Sequence, residues 1–315
     1  MKTLIILGNG KSLANIDLNT LSNYDTFGLN GAFIRYQELN WFPKYFGFLT
    51  YDYKFWDKTE VLGFIKNNYL KCDKFFCIIN RQYSTDLFQN MPDKETYDKI
   101  QFITPTQPTD VKFDTTKFTY PLMTELIYLR EMLSEKYTQE EIIRKMSKVL
   151  ENPLWKEYKK LNALGFYKLI EGIPIDSGDY IALPRFNVGW IPPTSFDNFV
   201  NVGGNSGYFA SLIGYLMGYK KIILLGFDFN FEVNNDIVDT SKTFWFDNYF
   251  HNKEYNTKHR ICHTCDRNTL TAIQLESFDL LKNMIEIYQL DLDIVNCTEG
   301  SKLDTFRKST LEKEL

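Results

Sequence analysis

Polar residues stand at both ends of an apolar helix-strand unit in the second half of the chain. The turn Asn205-Ser206-Gly207 precedes an apolar helix that Gly218 ends, and backbone N–H groups at such a helix start can bind anions. The run Lys221 to Leu225 predicts a buried parallel strand, and Asp228 follows it. Ligands of open α/β sheets collect beyond the carboxyl ends of the strands, so Asp228 is predicted to face a ligand.

A similar unit opens the chain. Thr3 to Leu7 predicts a short strand that runs into the loop Gly8-Asn9-Gly10-Lys11-Ser12 and a brief helix. The loop matches neither the dinucleotide pattern GxGxxG nor a Walker A loop, so a plain strand-to-helix turn also fits. Further strands are predicted at Thr26 to Leu29 and Tyr45 to Thr50, the latter followed by Asp52. Asn9, Asp52 and Asp228 should therefore share one edge of a sheet.

The segment Cys262-His263-Thr264-Cys265, with His259 just before it, contains the thiol and imidazole groups that bind zinc. A closed zinc site takes ligands from two elements, and no second Cys or His pair stands at such a spacing, so no metal is expected. The five cysteines are an odd number and fit a reducing compartment.

Aromatic residues make up 16% of the chain. The tract from Trp41 to Phe48 could form a platform that stacks on sugars, but aromatic side chains fill cores more often, and a core role is favoured.

The alternation of strands and helices predicts an α/β fold with a doubly wound, Rossmann-like parallel sheet. Residues 121–161 have helical periodicity and predict a helical hairpin or lid, and residues 162–194 predict an irregular loop. Thr269 to Leu290 predicts a long amphipathic helix, and Leu292 to Cys297 predicts a last buried strand before a charged terminal helix. A single domain spanning 1–315 is expected, with 80–200 as a largely helical and loop insertion.

The composition excludes several classes of protein. The net charge of −4, from 36 basic and 40 acidic residues among 315, gives no electrostatic footprint for nucleic acid. No run approaches the ~20 apolar residues that span a bilayer, and the amino terminus enters a strand without a signal-peptide pattern. A cytoplasmic protein is expected.

Several motifs together resemble the bacterial sialyltransferases of glycosyltransferase family 42 and related surface-glycan proteins of that fold. The resemblance covers residues 1–55 and 200–305. It rests on the segments Gly8-Asn9-Gly10-x-Ser12-Leu13, Asn30, Ser206-Gly207, Gly218 to Ile222, Gly226-Phe227-Asp228-Phe229, and the closing strand with Cys297.

The resemblance implies a Rossmann-like (GT-A-like variant) domain that binds a CMP-sugar without a metal, and a histidine base for inverting transfer. By motif, Asn9, Gly10 and Ser12 would line the nucleotide and its phosphate. Asn30 and Asp52 would hold the donor, Ser206 and Gly207 would contact it, and Asp228 would hold the cytidine. His263 takes the position of the base, for which an imidazole with a pKa of ~6.5 is suited, and His251 is the competing candidate.

The sequence departs from the family at three positions. Asn230 and Arg260 stand nearest to the two places where the family has tyrosines that steady the departing phosphate. Arg260 could serve this purpose, because a guanidinium pairs bidentately with phosphate oxygens, although a solvated loop charge is an equal alternative. Asp52 replaces an Asn, which exchanges a donor for an acceptor and could change the donor sugar, for instance to Kdo.

Three hypotheses follow. The first is a CMP-sugar transferase acting on an oligosaccharide or lipid-linked glycan of lipopolysaccharide or capsule. The second is a pyrophosphokinase-like relative that requires Mg²⁺. The third is a binding protein without catalysis. Peripheral association with the inner membrane and homo-oligomerisation are left open.

Overall fold

The computed structural model describes residues 2–49, 58–68, 70–78, 98–103, 105–106, 193, 196, 199–200, 205–230, 233–234, 237–238, 240–246 and 267–315. Within them the chain forms an eight-stranded sheet in which every neighbouring pair is parallel. Helices cover both faces, which makes the fold an α/β, doubly wound, Rossmann-like sheet, as predicted.

The strands of this sheet are β1 (Thr3–Leu7), β2 (Asp25–Leu29), β3 (Tyr45–Phe48), β4 (Lys74–Ile78), β5 (Ile100–Ile103), β8 (Lys221–Leu225), β11 (Asp293–Asn296) and β12 (Arg307–Lys308). Two small pairs lie outside it: β6 (Pro105–Thr106) with β7 (Phe199–Val200), and β9 (Val233–Asn234) with β10 (Ile237–Val238). The helices are α1 (Ala32–Leu39), α2 (Lys58–Asn68), α3 (Ser206–Leu216), α4 (Thr240–Thr243), α5 (Arg267–Tyr288) and α6 (Leu311–Glu314). Two 3-10 helices, Lys11–Asn15 and Leu18–Leu21, follow β1.

The order of the strands is β12-β11-β8-β1-β2-β3-β4-β5. From β1 the chain first builds outward through β2 to β5, and it later returns to place β8 on the other side of β1. The strand order therefore reverses between β1 and β8, and such a topological switch point opens the crevice in which α/β sheets bind ligands.

After their first residues, the central strands β1 and β8 are wholly apolar, because both of their faces are buried. One set of β1 and β8 residues packs against α3 and α5, and the alternating set packs against the first 3-10 helix, α1 and α2. The first set comprises Leu4, Ile6, Ile222 and Leu224, and the second comprises Ile5, Leu7, Ile223 and Leu225. Burying each of these side chains stabilises the fold by about 1.5–3 kcal/mol. The sheet is thus a rigid base for the loops at its edge.

Several predicted boundaries need correction. The long helix begins and ends two residues earlier than predicted, at Arg267–Tyr288. The last buried strand is Asp293–Asn296, one residue shorter at each end than predicted, and the short strand Arg307–Lys308 pairs beside it at the edge of the sheet. That two-residue strand is exposed and charged, so no apolar pattern marks it. The terminal helix is a single turn. Trp41, Phe46 and Phe48 of the aromatic tract are buried, which confirms the core role.

The predicted hairpin at 121–161 lies outside the described residues, so the helical insertion stays a prediction, as does the single domain. Within the range 80–200 the structure does place β5, which pairs with β4 and extends the main sheet. No helix in the described ranges is long and apolar enough to cross a membrane.

Polar contacts close the amino edge of the sheet. The Tyr219 hydroxyl donates to Asp25 at 2.5 Å, and Lys44 Nζ donates to the same carboxylate at 2.6 Å. Burial would raise the pKa of Asp25, but the hydrogen bonds from Lys44 and Tyr219 outweigh it and lower that pKa. Lys221 pairs at 2.9 Å with Glu314, whose side chain is only 9% exposed. These polar groups therefore hold the strands to one another and to the terminal helix.

Candidate active site

The loops that follow β1 and β8 are joined by backbone hydrogen bonds at the switch point. The Gly8 N–H donates to the Leu225 carbonyl at 2.7 Å, and the Gly10 N–H donates to the Gly226 carbonyl at 2.8 Å. The parallel pairing therefore continues beyond the last residues of both strands. This brings the Gly8–Ser12 loop against Asp228. Asn9 and Asp228 therefore lie at the same edge of the sheet, as predicted.

Glycine is needed in this loop because the two backbones approach so closely. A Cβ added to Gly8 would lie 2.3 Å from the Gly226 carbonyl oxygen. A Cβ added to Gly10 would lie 1.7 Å from a carboxylate oxygen of Asp228. The two glycines of this loop thus make room for the loop that follows β8.

Asp228 is held by Ser12. Its Oδ1 accepts from the Ser12 N–H at 3.0 Å, and its Oδ2 accepts from the Ser12 hydroxyl at 2.8 Å. Burial raises the pKa of the Asp228 carboxyl above its usual range, and the hydrogen bonds from Ser12 oppose that shift only in part. The backbone N–H of Asp228 also donates to its own carboxylate. A carboxylate has about four acceptor positions, so one remains with which Asp228 can accept from a ligand.

The raised pKa predicts a pH-dependent effect of Asp228→Asn on stability. Below the unfolded-state pKa of ~3.9 the carboxyl is neutral in both states, so its full contribution to folding is present. As the pH rises through the raised folded-state pKa, the buried carboxyl ionises and the wild type loses stability. Asn can keep both contacts with Ser12 and never ionises. We therefore expect the variant to become more stable relative to the wild type as the pH rises from 4 to 7. The difference between their free energies of unfolding, from urea titrations at each pH, measures this change.

Asp291→Asn is the matched control, because Asp291 is 81% exposed and forms an ion pair with Lys220 at the surface. Its stability should follow that of the wild type over the same pH range. A constant difference between Asp228→Asn and the wild type would contradict the burial of an ionisable Asp228.

Asn30 links three elements at the same edge. Its backbone adopts a left-handed conformation with φ of 49°, which Asn tolerates better than most residues. Its Nδ2 donates to the Ser206 hydroxyl at 2.6 Å, and its Oδ1 accepts from the Leu49 N–H at 2.7 Å. Ser206 in turn donates to the Leu49 carbonyl at 3.1 Å. The two predicted donor-binding residues, Asn30 and Ser206, are therefore in direct contact.

The start of α3 is capped from within the protein. The Asn205 side-chain oxygen accepts from the Gly207 N–H at 2.8 Å, so that N–H is already engaged. A Cβ on Gly207 would lie 2.3 Å from the ring of Phe227, which shows that this glycine lets the helix pack closely. Of the residues in this turn, Ser206 is the one whose side chain is shown in contact with another predicted site residue, Asn30.

The remaining predicted residues of the described edge are Asn9 and Asn230. Asn9 Nδ2 donates to the Leu29 carbonyl at 3.1 Å and so connects the ends of β1 and β2. Asn230 is exposed, two residues beyond Asp228. In the glycine loop itself the N–H groups of Gly8, Gly10, Ser12 and Leu13 all donate within the protein. A phosphate at this loop would have to be bound chiefly by other groups.

A buried polar network that the motifs did not reveal supports the Asp228 turn. Thr298 Oγ1 accepts from the Phe227 N–H at 3.0 Å, and the Ser301 hydroxyl donates to the Phe227 carbonyl at 2.6 Å. Asn296 donates to Ser301 at 3.0 Å. The Lys302 N–H donates to the Asp228 carbonyl at 3.0 Å. The sequence does place these hydroxyl groups within five residues of the end of a buried strand, at Thr298 and Ser301.

Asp52, His251, Arg260 and His263 lie outside the described residues, so their places remain predictions. The Cys262–Cys265 segment lies there too. In the part of the chain that the structure describes, no group of three or more His, Cys, Asp or Glu side chains could hold a metal ion.

The fold and this edge define an α/β protein with hydrogen-bonded polar side chains at the switch point of a parallel sheet. No family model matches the sequence, and no curated protein does. Two solved structures of the sialyltransferase CstII from Campylobacter jejuni are similar in fold. The complex with the substrate analogue CMP-3FNeuAc has 14% identity and a TM-score of 0.42, covering 98% of this chain and 86% of that one. The complex with cytidine-5′-monophosphate has 13% identity and a TM-score of 0.37, covering 98% and 84%. At this level of similarity, a function has to be argued from the residues of the site.

Proposed function

We propose that the protein is an inverting glycosyltransferase that moves sialic acid, or another acidic sugar carried on CMP such as Kdo, to a hydroxyl of a surface glycan. The observation that carries the proposal is the convergence of Asn9, Asn30, Ser206 and Asp228 at the switch point of a parallel sheet. This is the place where doubly wound sheets bind nucleotides.

The chemistry of these side chains suits a nucleotide linked to a sugar. Asn9, Asn30 and Ser206 are neutral and can both donate and accept, as sugar hydroxyls and the edge of a cytosine require. Asp228 accepts only, when ionised, and its remaining acceptor position matches a ribose hydroxyl or an exocyclic amine. Because Asn30, Ser206 and Asp228 are held by other protein groups, they are positioned before a ligand arrives.

In the proposed reaction His263 accepts the proton of the acceptor hydroxyl. The hydroxyl oxygen then attacks the anomeric carbon as the bond from that carbon to the phosphate oxygen breaks, and CMP leaves with the bonding electrons. Arg260 is assigned to the departing phosphate, since the N–H groups of Gly8, Gly10, Ser12 and Leu13 are engaged and a guanidinium binds phosphate bidentately. His251 is the alternative base. No metal takes part in this proposal.

The test is release of CMP from CMP-Neu5Ac and from CMP-Kdo by the purified chain, in EDTA, with and without an oligosaccharide acceptor. CMP release from one donor at a rate at least about tenfold above the rate in buffer without protein would support the transferase and identify its donor. Activity only with Mg²⁺ and a nucleoside triphosphate would instead support the pyrophosphokinase-like alternative. CMP binding without any release would support a binding protein, which the internal bonding of Asn30, Ser206 and Asp228 also allows.

A further inference from the structure

The loop that follows β11 holds the backbone on both sides of the Asp228 Cα. Thr298 Oγ1 accepts from the Phe227 N–H at 3.0 Å, and the Ser301 hydroxyl donates to the Phe227 carbonyl at 2.6 Å. The Asp228 carbonyl accepts from the Lys302 N–H at 3.0 Å. Two side chains and one amide of a distant segment therefore determine where Asp228 stands.

The turn that carries Asp228 has a backbone conformation that its own sequence does not favour. Gly226 has φ of +73° and Phe229 has φ of 52°, so left-handed residues lie on both sides of Phe227 and Asp228. Glycine adopts this conformation readily, but it is uncommon for an aromatic residue. Such a conformation persists where the surrounding structure imposes it. The hydrogen bonds from the loop after β11 are the constraint that does so here.

The Ser301 hydroxyl can donate in one direction only. Its oxygen accepts from Asn296 Nδ2 and from the Leu303 N–H, both at 3.0 Å, which fills the two acceptor positions of a hydroxyl. Its single proton is left for the Phe227 carbonyl. Asn296, which is 1% exposed, also donates to the Leu303 carbonyl and accepts from the Thr298 N–H, both at 3.0 Å. The network is thus satisfied in a single arrangement.

This arrangement reaches the ligand through Asp228. Ser12 contacts both oxygens of the Asp228 carboxylate, at 3.0 and 2.8 Å. Because the aspartate side chain is short, both contacts depend on where the backbone places its Cα. Thr298 is 6% exposed, and its oxygen already contacts the Phe227 N–H and the Leu224 carbonyl. An effect of Thr298 on a ligand would therefore be indirect.

We propose that Thr298 and Ser301 are positioning residues, which hold Asp228 through the Phe227 peptide so that its remaining acceptor position faces the ligand. The inference rests on the function proposed above, in which Asp228 holds the cytidine of a CMP-sugar. Neither hydroxyl is assigned to the reacting atoms. Their loss should therefore change the affinity for the nucleotide and leave kcat nearly unchanged.

Thr298→Val is the main test, because valine has nearly the same shape and lacks the oxygen that accepts from the Phe227 N–H. We expect the Kd for CMP, from calorimetric titration of the full chain, to rise by about 5- to 50-fold, since the hydrogen bond that Asp228 makes to the ligand is weakened or lost. Thr298→Ser keeps the oxygen and should stay within about threefold of the wild type. Ser301→Ala should weaken binding as Thr298→Val does, and it tests the proposal if Thr298→Val fails to fold.

Thr26→Val is the matched control. Thr26 is 2% exposed, and its Oγ1 also accepts from one backbone N–H at 3.0 Å, that of Lys44, at the amino edge of the sheet. Both valine variants should lose thermal stability to a similar extent, but Thr26→Val should keep the Kd for CMP within about twofold of the wild type. The proposal is overturned if Thr298→Val binds CMP as tightly as Thr26→Val, or if Thr298→Ser weakens binding as much as Thr298→Val.

Hydrogen exchange at the Ser12 amide tests the same coupling without a ligand. This N–H donates to Asp228 Oδ1, so it should exchange about tenfold faster in Thr298→Val than in Thr26→Val, with the central amides of β1 as the measure of global opening. Equal Ser12 rates in the two variants would also overturn the proposal. Faster exchange in Thr298→Val, in a protein that binds no CMP, would support the positioning of Asp228 and count against the transferase alone.

Discussion

Replacing His263 with Ala is expected to lower acceptor-dependent CMP release by about 10²- to 10⁴-fold, the usual contribution of a general base. The Kd for CMP should change by less than about twofold, because the proposed base contacts the acceptor hydroxyl and not the nucleotide. Steady-state rates and calorimetric titration with CMP measure the two quantities. In the wild type, the rate should also fall on the acid side as the imidazole becomes protonated, and this limb should vanish in the variant.

His251→Ala is the matched control for this experiment, since it removes another histidine of the same stretch of chain. Its rate should remain within about threefold of the wild type. If His251→Ala loses activity while His263→Ala keeps it, the two roles are exchanged and the transferase proposal stands. If an active wild type tolerates both changes, neither His251 nor His263 is the base and the proposed mechanism fails.

Replacing Gly8 with Ala should have the largest effect on stability. The added Cβ would lie 2.3 Å from the carbonyl oxygen of Gly226 and 2.7 Å from its carbon, and neither backbone atom can rotate away as a side chain can. The loops after β1 and β8 would have to separate, breaking the hydrogen bonds that hold Asp228 beside Ser12. We expect a loss of about 3 kcal/mol or more in the free energy of unfolding, measured in urea, and loss of CMP binding in any folded fraction.

Gly63→Ala makes the same chemical change within α2, where an added Cβ would meet no atom within 4 Å. Because Ala is the better helix former, this variant should gain about 0.5–1 kcal/mol. A Gly8→Ala protein within about 0.5 kcal/mol of the wild type would show that the two loops are not packed as described.

The central elements could be predicted because their signals are local. Thr3–Leu7 and Lys221–Leu225 appear in the structure residue for residue, since each contains four consecutive apolar residues and a glycine follows. Helix α3 begins after the Asn205 cap and ends before Gly218, whose φ of +82° is typical of a helix end. By contrast, Arg307–Lys308 forms a strand only because it lies beside β11, and its own residues carry no strand pattern.

The candidate site shows the same division. The sequence by itself determined that polar residues follow the strands and precede α3, because strand and helix signals extend over only a few neighbouring residues. Only the tertiary structure decided that Ser12 holds Asp228 across 216 residues, and that Asn30 meets Ser206 across 176. It also decided that Gly8 and Gly10 make room for a neighbouring loop. These contacts depend on which strands lie side by side, and that order follows from packing both faces of the whole sheet, which no local pattern records.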